Sequence, residues 1–401
     1  MTRPIRILIG QALLSRTASA AELVALNWWV FHATGSAAMV GTLTAARLVP
    51  LLIAAPRLGA RADRREPTRL LAGVLVWGGT LTLASAALIT LDKAATGPAT
   101  AQTLWVIVAL TATRASATSA EPAIRNTVLA RLSEQSQLLH TMSSLSLVVN
   151  FSLILGPAMA AALLHLGGVA LALSSCGIGY LLAAALTMGL PRQPVAHPTA
   201  APGRSRWLQA LRLLPAHRRL GAQLLLAVGP MLCIFPYTAM LPVLASAVYG
   251  SSAEVGIAYL SAAAGAGALL GAVGLRYVLP QRPVAIAAIA AAAVSLPMLA
   301  LTLATAHPWA ALVSVGALGL LGQLYRTANR AATLLLAPEQ QRGLISGVAH
   351  SDRVLIPLGA LIFGVVADHG GVVAMAWAMA LSNAVLVAPA LAMILAAPRG
   401  E

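Results

Sequence analysis

The sequence predicts an all-α membrane protein with twelve transmembrane helices arranged as two six-helix bundles. Three observations carry that prediction. The 401-residue chain is 59% hydrophobic and only 9% charged, with a mean hydropathy of +0.84, whereas soluble domains are roughly 45–50% apolar and about 25% charged. Its apolar stretches divide at charges, prolines and glycines into segments of the roughly twenty residues that a bilayer crossing requires. The basic residues between those segments fall at the two termini and on even-numbered connections, and the odd-numbered connections hold only Lys93. Lipid rather than water must therefore solvate most of the surface.

The first six spans cover residues 6–31, 37–58, 69–91, 101–123, 140–164 and 168–190. The second six cover 219–247, 255–279, 283–305, 309–330, 343–367 and 371–396. The start, MTRPIRILIGQALLSRTASAAELVALNWWVF, has a short basic lead but runs on apolar to Phe31, so it reads as the first span rather than as a cleavable signal. Arg3 and Arg6 precede that span, and arginines cluster after spans 2, 4, 6, 8 and 10, with Arg326, Arg330 and Arg342 assigned to the last of these clusters. The positive-inside rule then puts both termini in the cytoplasm. The proline-rich, basic stretch 191–218 reads as a cytoplasmic linker between an N-terminal bundle, 1–190, and a C-terminal bundle, 219–401. Trp207 to Leu214 within it could lie flat at the interface. The two halves echo each other: IRNTVLARLSEQ (124–135) and NRAATLLLAPEQ (329–340) align at an offset of 205, which matches Arg125 with Arg330 and Glu134 with Glu339.

Other classes are poorly supported. The net charge of +15 would suggest nucleic acid in a soluble chain, but these charges lie in separate short clusters, so no nucleic-acid partner is expected. Cys176 and Cys233 sit in apolar segments, and the scattered histidines form no metal spacing; neither a metal nor a cofactor is expected. No G-x-x-x-x-G-K-[ST] loop is present, nor any cluster of His, Ser/His or paired acids at one depth, so the chain does not read as an enzyme. GAGALLGAVG (265–274) is a small-residue stripe suited to close helix packing, and Gly370–Gly371 reads as a tight turn.

Between spans 2 and 3 lies GARADRREPTR (59–69), a concentrated patch of charge between two apolar segments. It contains Gly59 and Asp63–Arg64 in the pattern G-x-x-x-D-R, with Arg65 and Arg69 behind. With AARLVP (45–50), Gly156–Pro157, EPAIRNTVL and PEQQRGLISG, this resembles the major facilitator superfamily, and within it the branch of the enterobactin exporter and macrolide efflux proteins. The chain departs from the pattern where Glu66 and Pro67 replace a glycine and a basic residue, where Arg61 replaces a leucine, and where GPAMAAAL lacks later glycines.

The resemblance implies a monomeric secondary transporter in the bacterial inner membrane, exporting a small amphipathic molecule against an inward flow of protons. Proton-coupled uptake and a non-transporting membrane sensor are the alternatives. It also implies that Asp63 meets the N-terminus of span 11, so that Gly59, Asp63 and Arg64 form a gating latch.

Charges inside a bilayer are costly and tend to face cavities where they work. Those singled out within the predicted spans are Arg16, Glu22, Arg47, Arg114, Glu121, Asp352 and Arg353. Glu22 is the candidate proton carrier, with Arg114 and Asp352 assisting. Arg47 and Asp352, each ten residues from an arginine at a span end, are expected at similar depth, and the resemblance, which implies that spans 2 and 11 face each other, makes them the expected gating pair. Arg16, Asn27, Asn150, Tyr237, Gln323 and Arg353 are expected to line the substrate cavity, whose arginines favour an anionic cargo. Glu121 precedes Arg125 by four residues, the spacing of a local helical ion pair.

Overall fold

The computed structural model describes residues 2–48, 66–96, 99–133, 138–192, 217–278, 282–303, 307–338, 341, 345, 349 and 351–396. All secondary structure among them is helical, with no strand. The elements are α1 (Arg3–Thr34), α2 (Ala37–Ala45), α3 (Pro67–Thr96), α4 (Ala101–Thr118), α5 (Glu121–Leu132) and α6 (Leu138–Met188). Then follow α7 (Arg218–Leu226), a π-turn (Pro230–Ile234), a 3-10 turn (Phe235–Thr238), α8 (Leu241–Tyr249) and α9 (Ala253–Val278). The chain closes with α10 (Pro283–Ala293), α11 (Ser295–Ala300), α12 (Pro308–Leu336) and α13 (Leu355–Ala396).

Seven of the described helical runs are long and apolar enough to cross a membrane. Two of these hold two spans each. At 1.5 Å per residue, the 51 residues of α6 and the 42 of α13 would stretch well beyond twice the roughly 30 Å of hydrocarbon or close to it. Each is broken by a glycine in the left-handed region, Gly168 at φ 70° and Gly371 at φ 72°. Span 4 also breaks, between α4 and α5, where Pro122 interrupts the hydrogen-bond ladder. Span 7 is divided among α7, the two tight turns and α8, with Pro230, Pro236 and Pro242 opening successive pieces.

The chain forms two compact units: residues 1–35 with 42–201, and residues 36–41 with 202–401. In the first, α1 and α3 pack along α6. Gly156 makes the α1 crossing possible, because a Cβ there would come within 2.5 Å of the Ala20 Cβ. Gly79 and Gly177 likewise let α3 and α6 touch backbone to backbone. Asp92 ties down the start of α4 by accepting from the Thr100 amide (3.0 Å) and hydroxyl (3.1 Å).

In the second unit α9 packs on α12 through the glycine stripe read from the sequence. A Cβ at Gly267 or Gly271 would strike the backbone of Gly316 or Leu320, and one at Gly319 the backbone of Ala264. Buried amides pin further elements. Gln223 donates to Asn329 at 2.6 Å, and Asn383 donates to the Ala291 carbonyl at 2.9 Å and the Ser295 hydroxyl at 2.8 Å.

This second unit includes Ser36–Gly41, the opening turns of α2. Asp368 of α13 accepts from the Ser36 hydroxyl (2.5 Å) and from the amides of Ala37 (2.5 Å) and Ala38 (3.1 Å). A carboxylate thereby satisfies donors at a helix N-terminus that no intrahelical carbonyl can reach. Gly364, one turn earlier on α13, leaves room for the approach, since a Cβ there would lie 2.5 Å from the Ala37 carbonyl oxygen.

Candidate functional site: one polar cluster in each unit

The first unit buries a connected polar cluster. Glu22 on α1 and Arg114 on α4 form an ion pair at 2.8 Å, with side chains 2% and 5% exposed. Tyr180, from the second half of α6, joins them. It accepts from Arg114 Nη1 at 2.9 Å and donates to Glu22 Oε2 at 3.3 Å, with Ser19 also hydrogen-bonded to its hydroxyl. The guanidinium lies 5.6 Å from the centre of the Tyr180 ring. Arg47 stands in the field of the same three groups, and its buried Nε and Nη2 make no hydrogen bond among the described residues.

About two turns along α1, Arg125 is bound to Glu121, to Ser15 (2.9 Å) and to Gln11 (3.2 Å), so the expected i,i+4 pair forms. Each buried charge in this second group meets an opposite charge or several dipoles, which is what a low-dielectric site demands. Arg16 lies beside Arg125 and Tyr180, half-buried and without a hydrogen bond or ion pair among the described residues.

The second unit is built otherwise. Arg326 on α12 rests over the Phe235 ring at 4.8 Å and donates to Gln323 Oε1 at 3.3 Å. Gln323 in turn donates to Thr327 at 3.1 Å. Tyr237 is buried nearby. Phe235 belongs to the 3-10 turn of span 7 and also packs on Tyr325, ring centres 6.2 Å apart. Asp352 lies among Arg330, Arg353 and Tyr325, with a buried Oδ1 that has no hydrogen-bond partner among the described residues.

Several sequence expectations need correction or fall elsewhere. Arg326 and Arg330 do not follow span 10. They lie inside α12, which continues to Leu336. Asp352 and Arg353 occupy the 3-10 turn Ser351–Val354 before α13 rather than the interior of a continuous α-helix. Glu121 opens α5 instead of lying inside a single fourth helix. Asn27 is buried in α1. Asn150 is on α6, with its side chain outside the described residues, and so are Gly59, Asp63 and Arg64.

Tyr180 was missed because a lone tyrosine in SSCGIGYLLA reads as packing. Asp368 was missed because its partners lie more than 330 residues away in sequence. No three His, Cys, Asp or Glu side chains converge among the described residues. An apolar groove of about 650 Å³ between α10 and α13 is lined by residues such as Ile289, Leu296 and Leu391, which offer nothing to orient a polar solute.

The chain has clear relatives. The profile of the Major Facilitator Superfamily matches residues 8–355. The staphyloferrin A transporter of Staphylococcus aureus (strain NCTC 8325 / PS 47) is 27% identical over 364 residues, covering 87% of this chain and 86% of its own. Among solved structures, the nucleoside transporter NupG superposes with a TM-score of 0.77 at 14% identity, covering 98% of this chain and 99% of that one. A bacterial homologue of the iron transporter ferroportin, in an inward-facing state, gives 0.72 at 14% identity, over 97% and 98%. At such identities these structures share the fold. Apolar helical spans, buried ion clusters and the matched profile lead to one conclusion: the chain is an integral membrane protein that transports small molecules rather than an enzyme, and it belongs to the Major Facilitator Superfamily.

Proposed function

We propose that the protein exports a small amphipathic, anionic molecule of the siderophore or drug-like class by alternating access, coupled to inward proton flow across the bacterial inner membrane. Within the superfamily we assign it to the branch resembling the enterobactin exporter and macrolide efflux proteins, acting as a monomer with both termini cytoplasmic. The Glu22–Arg114–Tyr180 cluster carries the reading.

An ionised Glu22 satisfies Arg114, and Tyr180 bridges the two. Protonating that carboxylate would remove the counter-charge of a fully buried guanidinium and force the cluster to rearrange, which is how one proton can bias a conformational equilibrium. Arg16, Asn27, Asn150, Tyr237, Gln323 and Arg353 are the proposed cavity lining. Arg47 and Asp352, with the Gly59–Asp63–Arg64 latch, are the proposed gate; Arg47 and Asp352 each hold buried polar atoms without a hydrogen bond among the described residues. The relative named for staphyloferrin A supports a siderophore-like cargo. Residues 1–190, 191–218 and 219–401 are the proposed bundle, linker and bundle.

Everted membrane vesicles carrying an inward-acid pH gradient test the proposal, with staphyloferrin A as the first probe and the extracellular metabolites of expressing and deleted cells compared for others. Export predicts accumulation that a protonophore abolishes and that Glu22→Gln abolishes as well, while exchange between equal pools persists. Accumulation only in right-side-out vesicles would establish uptake instead. Retained binding with no flux in either orientation would establish a sensor. Normal proton-driven transport by Glu22→Gln would remove that residue from the mechanism.

A further inference from the structure

We infer that Arg326, braced on Phe235, is the anchor for a carboxylate of the transported molecule. This names a residue and a ligand chemistry for the transport reading above and rests on it.

Three observations converge. The first is depth. Arg326 lies ten residues before the end of α12, about 15 Å along the axis at 1.5 Å per residue. The whole helix is about 44 Å long, so a hydrocarbon layer of about 30 Å contains this position. A cation there is held by something other than bulk water.

The second is charge. Among the described residues Arg326 meets no carboxylate; its contacts are the Phe235 ring and the Gln323 side-chain oxygen. The second unit's described acids are Glu254, Asp352 and Asp368. Glu254 opens α9, and Asp368 is engaged by Ser36, Ala37 and Ala38. Asp352 already stands among Arg330 and Arg353. The 205-residue offset that matches Arg330 with Arg125 matches Arg326 with Glu121. Where the first repeat supplies the arginine with its own acid, the second supplies another arginine.

The third is access. Gln323, Arg326, Thr327 and Arg330 share one face at i, i+3, i+4 and i+7, and all four are half-buried, while Gly322, Tyr325, Ala328 and Asn329 behind them are buried. A polar, partly accessible face at this depth opens on water rather than on lipid.

The geometry selects the ligand class. A guanidinium stacked on a ring is held in plane, and its N–H groups match the two oxygens of a carboxylate. Phe235 is itself fixed, because its Cε1 would lie 3.0 Å from any Cβ added at Gly322.

The test uses the full-length protein in lipid nanodiscs, with citrate as the probe and thermal unfolding as the readout. Triethyl citrate, which lacks the charges, and chloride at matched ionic strength are the controls. Citrate is expected to raise the unfolding temperature where neither control does. Arg326→Gln is expected to weaken citrate by about tenfold or more, Arg326→Lys by less, and the exposed Lys93→Gln not at all. A wild-type protein indifferent to citrate, or an Arg326→Gln variant with an unchanged citrate response, overturns the proposal.

The vesicle assay separates this from the parent reading. Transport by Arg326→Gln with unchanged KM sinks the anchor and leaves the transporter. Loss of citrate binding in Arg326→Gln, from a wild type with no proton-driven flux, keeps the anchor and sinks the coupled transporter.

Discussion

Glu121 and Arg326 occupy matching positions in the two halves of this chain, at the same 205-residue offset, yet carry opposite charge. In the first unit the acid lies one helical turn before Arg125, and the pair is closed further by Gln11 and Ser15. In the second, an arginine lies one turn before Arg330, and no carboxylate meets it among the described residues. One repeat has neutralised its buried guanidinium internally. Among the described residues, the other leaves one without an acid. A buried charge that is already satisfied holds a structure together, whereas one that is not has affinity to spare for something that comes and goes.

The sharpest way to break the comparison is to delete both arginines. Arg125→Leu would leave Glu121 buried and unpaired, and is expected to destabilise the protein by about 3–5 kcal/mol. Arg326→Leu removes a cation that meets no carboxylate among the described residues, and is expected to cost less than about 1 kcal/mol or to stabilise. Unfolding of both variants in one detergent measures the difference; equal losses would erase the distinction between the units.

A smaller effect sharpens the first half. Tyr180→Phe removes the hydroxyl between Arg114 and Glu22 but keeps the ring, for an expected loss of about 1–2 kcal/mol. The same variant should shift the pH dependence of transport while leaving cargo affinity nearly unchanged. If instead KM alone moved, Tyr180 would belong with the cargo and not with the proton. Smallest is Asp368→Ala, which strips the cap from α2 and is expected to lower stability by about 0.5–2 kcal/mol, read as a fall in unfolding temperature.

Hydropathy made the spans legible because hydrocarbon imposes a length that composition cannot hide. Glu121 with Arg125 was legible because helical spacing makes them neighbours whatever the fold. The glycine stripe at 265–274 was legible for a similar local reason. Arg326 was not. Dividing a chain at its charges assigns an arginine to a helix end by construction, whereas α12 runs through Arg326 and Arg330 to Leu336. Glu22 was singled out as an isolated acid, but its choice of Arg114 over Arg16 or Arg47 is a matter of tertiary distance. Tyr180 and Asp368 fall in the same category: their partners are set by packing between distant elements, not by any period in the chain.

Because Ser36–Gly41 belongs to the second unit while the residues on both sides belong to the first, no single cut can part this molecule into two self-sufficient pieces. A fragment ending in the linker would carry the opening of α2 away from the carboxylate that caps it and from the backbone of Ala360 against which Gly41 fits. Production of either piece alone would therefore yield an unfinished fold, and split expression should succeed only when both are made in the same cell.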